Sequence, residues 1–129
     1  MANKRSDRGA AAVEFALVLP VLVALLLGII EFGYAMYVQA TIAGAAREGA
    51  RALAINTSST ASAQSVAMQA ALPAVTLNSS EISADSSLCS TANPSAAVTV
   101  KINYPYSGIA GLLPHSITIT GTGVMRCGG

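Results

Sequence analysis

The sequence predicts an α+β protein: a long N-terminal helix, half in a membrane and half exported, packed on a small antiparallel sheet. Three observations predict it. Residues 10–30 read AAAVEFALVLPVLVALLLGII and carry one charge, Glu14. Residues 32–55 hold no proline and are dominated by alanine, which continues a helix. Two later segments, 97–104 and 116–126, alternate with the period of a strand. Of the 129 residues, 53% are hydrophobic and only 10% charged, with a mean hydropathy of +0.57. A soluble domain usually carries about 25% charge, so this composition points to a membrane. The length excludes a large multidomain enzyme, and the hydrophobicity excludes disorder over most of the chain. A net charge of +1 provides no broad field for nucleic acid, which is not an expected partner.

Residues 1–9 form a basic leader, with Lys4, Arg5 and Arg8 against Asp7. Residues 10–30 would make a helix of roughly 30 Å, the thickness of a bilayer's hydrocarbon core. The small polar residues that follow could hardly enclose such a helix as a soluble core. After Arg8 the next basic residue is Arg47, so the N-terminus is expected in the cytoplasm and residues 31–129 outside it. A secretory signal would be shorter and would end in a small-x-small cleavage site; this run ends in Ile-Ile-Glu-Phe-Gly-Tyr. Pro20 removes one helical hydrogen bond and predicts a kink.

Glu14 has two readings. A carboxylate inside an apolar span costs a few kcal/mol unless it serves a purpose or reaches the headgroups. It lies one turn from the cytoplasmic edge, so it can reach them. It also stands four residues after Ala10. A cut after Gly9 would create an α-ammonium at Ala10, close to Glu14 of the same or a neighbouring chain. Paired charges offset each other's desolvation and would set helix register.

Glu31 marks the outer edge of the span, and Tyr34 and Tyr37 fall where interfacial aromatics are expected. Tyr34, Val38, Ile42, Ala45, Gly49 and Ala52 or Leu53 recur at helical spacing, a narrow packing stripe. Gly44 and Gly49, each four residues after an alanine, would admit a second backbone. Either another helix of an assembly or the chain's own domain could supply it. Glu48 and Arg51 can pair at i,i+3. Arg47 and Arg51 are either a solvated face or hold groups of the C-terminal region or a partner.

Residues 56–129 form a small exported α+β region. A Ser/Thr-rich break at 56–62 precedes a short helix over 60–72, stopped by Pro73. Residues 75–83 alternate weakly as a strand, and 84–97 form a polar loop that includes Cys89. Val98, Val100, Ile102 and Tyr104 share one strand face. Ile117 and Ile119 share a face of the last strand, with Thr118, Thr120, Thr122 and Val124 opposite. The connection YPYSGIAGLLP lies between. Export permits a Cys89–Cys127 disulfide, worth about 4 kcal/mol in the chain-entropy model; two unpaired buried thiols are the alternative. A region this small needs both helix and disulfide for stability. His115 is the only histidine, and no triad, phosphate loop or zinc spacing is visible. No catalysis, cofactor, metal or small-molecule substrate is expected.

Three stretches in order, RGAAAVEFALVLP (8–20), GIIEFGYAMYVQ (28–39) and AAREGARALA (45–54), resemble the TadE-like family of minor pseudopilins of the tight-adherence (Tad, Flp-type) pilus system. The resemblance covers about the first 45% of the chain. It implies a type IV pilin-like lollipop and a structural, non-catalytic role in pilus assembly. It also implies that a prepilin peptidase cuts between Gly9 and Ala10, with Glu14 the family's glutamate and Phe15 the aromatic beside it. Implied partners are the bacterial inner membrane, that peptidase, other pseudopilins, the major pilin and the Tad assembly machinery. A major pilin of this type is far shorter, so the extra residues here suggest a minor subunit. Ala10 after the cut, in place of an aromatic, fits the Tad branch rather than the wider type IV branch. The competing reading is an uncleaved single-span, membrane-tethered binding or adhesion module of the cell envelope; a small secreted enzyme is the third.

Overall fold

The computed structural model describes residues 4–55, 59–85, 95–109, 111 and 115–127, with side chains from residue 8 onward. Helix α1 (Lys4–Ile55) is followed by α2 (Thr60–Ala71), a 3-10 turn (Ser79–Glu81), and strands β1 (Ile82–Asp85), β2 (Ala97–Tyr106) and β3 (Ile117–Arg126). The strands form an antiparallel sheet in the order β1-β2-β3. The expected α+β arrangement of a long helix on a small antiparallel sheet is the one observed.

Helix α1 stays helical through Pro20 and has two distinct environments. Its most apolar 18-residue window has a mean hydropathy of 2.8 and no buried residue. By length and composition it fits a single membrane pass. A soluble core helix would hide this surface; here Val13, Leu17, Val21 and Ile29 are all more than half exposed. Beyond Glu31 the same helix becomes the centre of a core. Val38, Ile42, Ala45, Gly49 and Leu53 are buried, whereas Tyr34 lies at the edge of the stripe and Ala52 is half-buried. The stripe packs on the chain's own sheet and on α2.

Helix α2 starts where Ser59 caps it, its hydroxyl accepting from the Ser62 N–H at 3.2 Å. It ends just before the Leu72-Pro73 bond, which is cis. Ala63, Ala67 and Ala71, four apart, are its buried residues. Such a flat face lets the two helices approach closely. A Cβ built on Gly49 would lie 3.1 Å from Ala67 Cβ and 3.2 Å from the Ala63 carbonyl oxygen. Gln64 ties α2 to the sheet by donating to the Ile82 carbonyl at 3.0 Å.

The face of β2 that carries Val98, Val100 and Ile102 is fully buried, as its alternation requires. Opposite these residues, β3 offers Met125, Gly123 and Gly121. The glycines have a steric cause. A Cβ on Gly121 would come within 2.7 Å of the Ile42 carbonyl oxygen, and one on Gly123 would overlap the Ala46 carbonyl. Two strand residues advance about 6.6 Å and four helical residues about 6 Å, so β3 follows α1 step for step. Both run away from the span, and β2 runs back towards it.

Three sequence expectations need correction. The strand expected at 75–83 forms only from Ile82; Val75 and Leu77 are buried in a non-ladder connection, and the 3-10 turn follows. Their weak alternation reflected contact with the core, not sheet pairing. Helix α2 ends at Ala71, one residue short of the expected bound. Strand β2 continues through Pro105 to Tyr106, where a loop was expected. This is permitted because β1 pairs only up to Ile102, leaving β2 an edge beyond it, where a missing N–H costs little.

The glycines differ in what they can accept. Gly123→Ala is expected to destabilise the α+β region by about 1–3 kcal/mol through overpacking. Gly44→Ala meets nothing within 4 Å and should be neutral or stabilising by up to about 1 kcal/mol as a helix substitution. Thermal unfolding of the detergent-solubilised chain would separate the two; equal shifts would contradict the close α1–β3 contact.

Candidate functional site

The residues singled out near the N-terminus all lie on α1. Gly9, Ala10, Glu14 and Phe15 are helical and exposed. The step from Ala10 to Glu14 is one helical turn, about 6 Å along the axis. Among the described residues no part of α2 or the sheet covers this stretch.

A second acidic position organises the outer edge of the span. Glu31 is half-buried and accepts from the Tyr106 hydroxyl at 2.7 Å. It also accepts from the Ile109 backbone N–H, at 3.1 and 3.0 Å to its two carboxylate oxygens. These bonds join residue 31 to the end of β2 across 75 residues of sequence. Tyr106 is only 4% exposed, and its ring centroid lies 6.1 Å from that of Tyr34, which in turn lies 6.2 Å from Tyr37. Burial, and then donation to Glu31, push the Tyr106 hydroxyl up to about 12 from the ordinary 10.0. The helix exit thus carries a carboxylate clamp beneath a cluster of tyrosine rings.

Further along α1, Arg47, Glu48 and Arg51 are exposed. Glu48 and Arg51, which could either pair or form a solvated face, are joined by neither a salt bridge nor a hydrogen bond among the described residues. Surface pairs at this spacing gain too little to hold two long side chains in place. Gly49 is buried against α2, whereas Gly44 opens on a shallow groove of about 380 Å³ bordered by Tyr37, Thr41, Glu48, Leu72 and Pro73. Cys127 follows β3 directly, half-buried against the core, and its N–H donates to the Ala96 carbonyl at 2.9 Å. Cys89 lies outside the described residues. His115 is exposed. Among the described residues no three His, Cys, Asp or Glu side chains gather as metal ligands.

Sequence reasoning missed two features. The first is the clamp: Glu31 was read only as an edge marker and Tyr106 as loop. One signal was available, because Glu31 is the sole charge between Glu14 and Arg47. A lone carboxylate at a membrane edge calls for a donor. The second is the Gly121–Gly123 pair, which occupies the inward positions of β3 after Ile117 and Ile119 and so signals a close neighbour.

The clamp sets an alkaline limit on stability. The folded Tyr106 value lies above the unfolded one, so its contribution is complete below about pH 10 and is lost as pH rises towards about 12. Tyr106→Phe should cost about 1 kcal/mol at neutral pH, the low end for a bond to a charged acceptor near solvent. The gap between wild type and variant should be constant up to about pH 10 and narrow above it. Chemical denaturation at stepped pH would check this, and a gap that persists at pH 12 would contradict it.

Comparison with family models matches residues 9–51 to the family described as TadE-like protein. The match begins at Gly9, covers the whole apolar span and the Glu31 edge, and ends at Arg51. Comparison with curated proteins and with solved structures gives no match.

Proposed function

We propose that this chain, TadE-like over residues 9–51, is a membrane-anchored minor pseudopilin that takes part in assembling a Tad (Flp-type) pilus. The observation that carries the proposal is the division of α1. Its first half is a bare apolar rod, and its second half is built into a small α+β head. A rod of this kind is stable in lipid, or among like rods in a fibre, and in neither case needs a protein core of its own. The role is structural. The TadE-like match is to a family of pilus components, and its partners are expected to be the membrane and the pilus machinery.

In this reading residues 1–9 are a cytoplasmic leader, 10–30 the span through the inner membrane, 31–55 its exported continuation, and 56–129 the head. A prepilin peptidase cuts between Gly9 and Ala10. The new Ala10 ammonium pairs with Glu14 of its own or an adjacent chain, beside Phe15. Pro20 bends the rod within the bilayer. Cys89 and Cys127 close a disulfide across the head, which the position of Cys127 against the core supports. Arg47 and Arg51, exposed and without a bonded partner among the described residues, face other pseudopilins or the major pilin, and Gly44 offers them a close approach.

Intact-mass spectrometry of the membrane-extracted chain, from cells with and without the prepilin peptidase, tests the reading. Loss of residues 1–9 only where the peptidase is present is the expected result. A full-length chain in both would leave an uncleaved, membrane-tethered binding or adhesion module. Recovery of the chain in the soluble fraction would overturn both.

A further inference from the structure

We infer that the head does not stand clear of the bilayer but rests on it, with Ile109 and Ile117 inserted into the interfacial layer of the outer leaflet. The inference rests on the membrane reading of α1 given above. Its first support is the height of the clamp. A helical side chain covers the turn N-terminal to its own Cα, so the Glu31 carboxylate reaches back over the last turn of the span. The Ile109 N–H is bonded to both of its oxygens. Ile109 is therefore held at the level where the helix leaves the hydrocarbon.

The second support is what the head exposes there. Ile109 is 56% exposed and Ile117, paired with Tyr106 at the same end of the sheet, is 48% exposed. On α1 the residues on either side of Glu31 are also bare, Ile30 at 57% and Phe32 at 70% exposed. The stretch 107–116 contains no Asp, Glu, Lys or Arg, so no charge opposes its entry among the headgroups. The opposite face of the sheet offers Thr118, Thr120 and Thr122, all exposed, which suits water. A lipid surface is the occupant favoured by the clamp, which ties this end of the head to the edge of the span. Tyr34 and Tyr106 then form the aromatic layer at that surface, and Glu31 is sheltered beneath the head instead of facing hydrocarbon.

The chain has no tryptophan, so one introduced residue is a unique probe. Three variants of the full-length chain would be reconstituted in phosphatidylcholine vesicles whose acyl chains carry bromine, in one set near the headgroup and in another near the methyl end. Leu22→Trp reports the span, Ile109→Trp the proposed contact, and Val124→Trp the far end of the head. Ile109 bonds to Glu31 through its backbone, so its replacement keeps the clamp. The expected result is a blue shift with strong quenching of Leu22→Trp by the deep bromine and of Ile109→Trp by the shallow bromine, and Val124→Trp unquenched by either. Quenching of Leu22→Trp alone would overturn the inference and leave the membrane reading intact. A blue-shifted but unquenched Ile109→Trp would also overturn it, pointing to burial in a second copy. Absence of quenching in all three would remove the membrane reading and the inference with it.

Discussion

The head depends on one close contact, that of β3 backbone with the α1 backbone at Ile42 and Ala46. Gly121 and Gly123 have no side chain because the carbonyls of the helix occupy that space. Bringing a helix this near a strand removes the layer of side chains that usually separates them. The layer is recovered on the β2 side, where Val98, Val100 and Ile102 fill the core. On the other flank of α1 the same economy recurs, with Gly49 set against Ala63 and Ala67. A core made largely of alanine and glycine is thin, yet close packing gives each atom its full share of dispersion contacts. It also removes side-chain entropy costs, since alanine and glycine have no rotamers to lose.

This thin core suits a helix with two duties. Within the span α1 must present apolar side chains outward on every face, and beyond Glu31 it must present a narrow small-residue stripe inward. The change takes place within two turns, between Ile30 and Val38. At that point the chain places its one carboxylate of the region and answers it with the Tyr106 hydroxyl and the Ile109 N–H. A charge at a membrane edge is costly when its hydrogen bonds are left to chance. Bonded in this way, it fixes the height of the sheet relative to the span. The registry of β3 on α1 then carries that height through the rest of the head, because strand and helix advance together.

Much of this could be read in the residues. The apolar stretch needed only length and hydropathy, and the helix beyond it only alanine and the absence of proline. Helix α2 was legible from the Ser/Thr-rich break at 56–62 and from Pro73, local signals that act within one turn. The faces of β2 and β3 followed from alternation alone. Reading failed where local pattern and distant partner disagreed. Val75 and Leu77 alternate like a strand but find the core without a ladder. Pro105 reads as a loop residue, yet β1 stops at Ile102 and leaves it a free edge.

The sequence by itself determined the division of the chain into a short basic start, an apolar rod, an alanine helix and a small sheet, because those features are set by periodicity and composition over short windows. The tertiary structure alone decided that Gly121 and Gly123 lie on Ile42 and Ala46, and that Glu31 answers Tyr106. Such contacts join residues some 75 positions apart, and no local pattern encodes them. They arise because two carbonyl-bearing backbones and one carboxylate must each find a partner of the right size and polarity once the chain has closed.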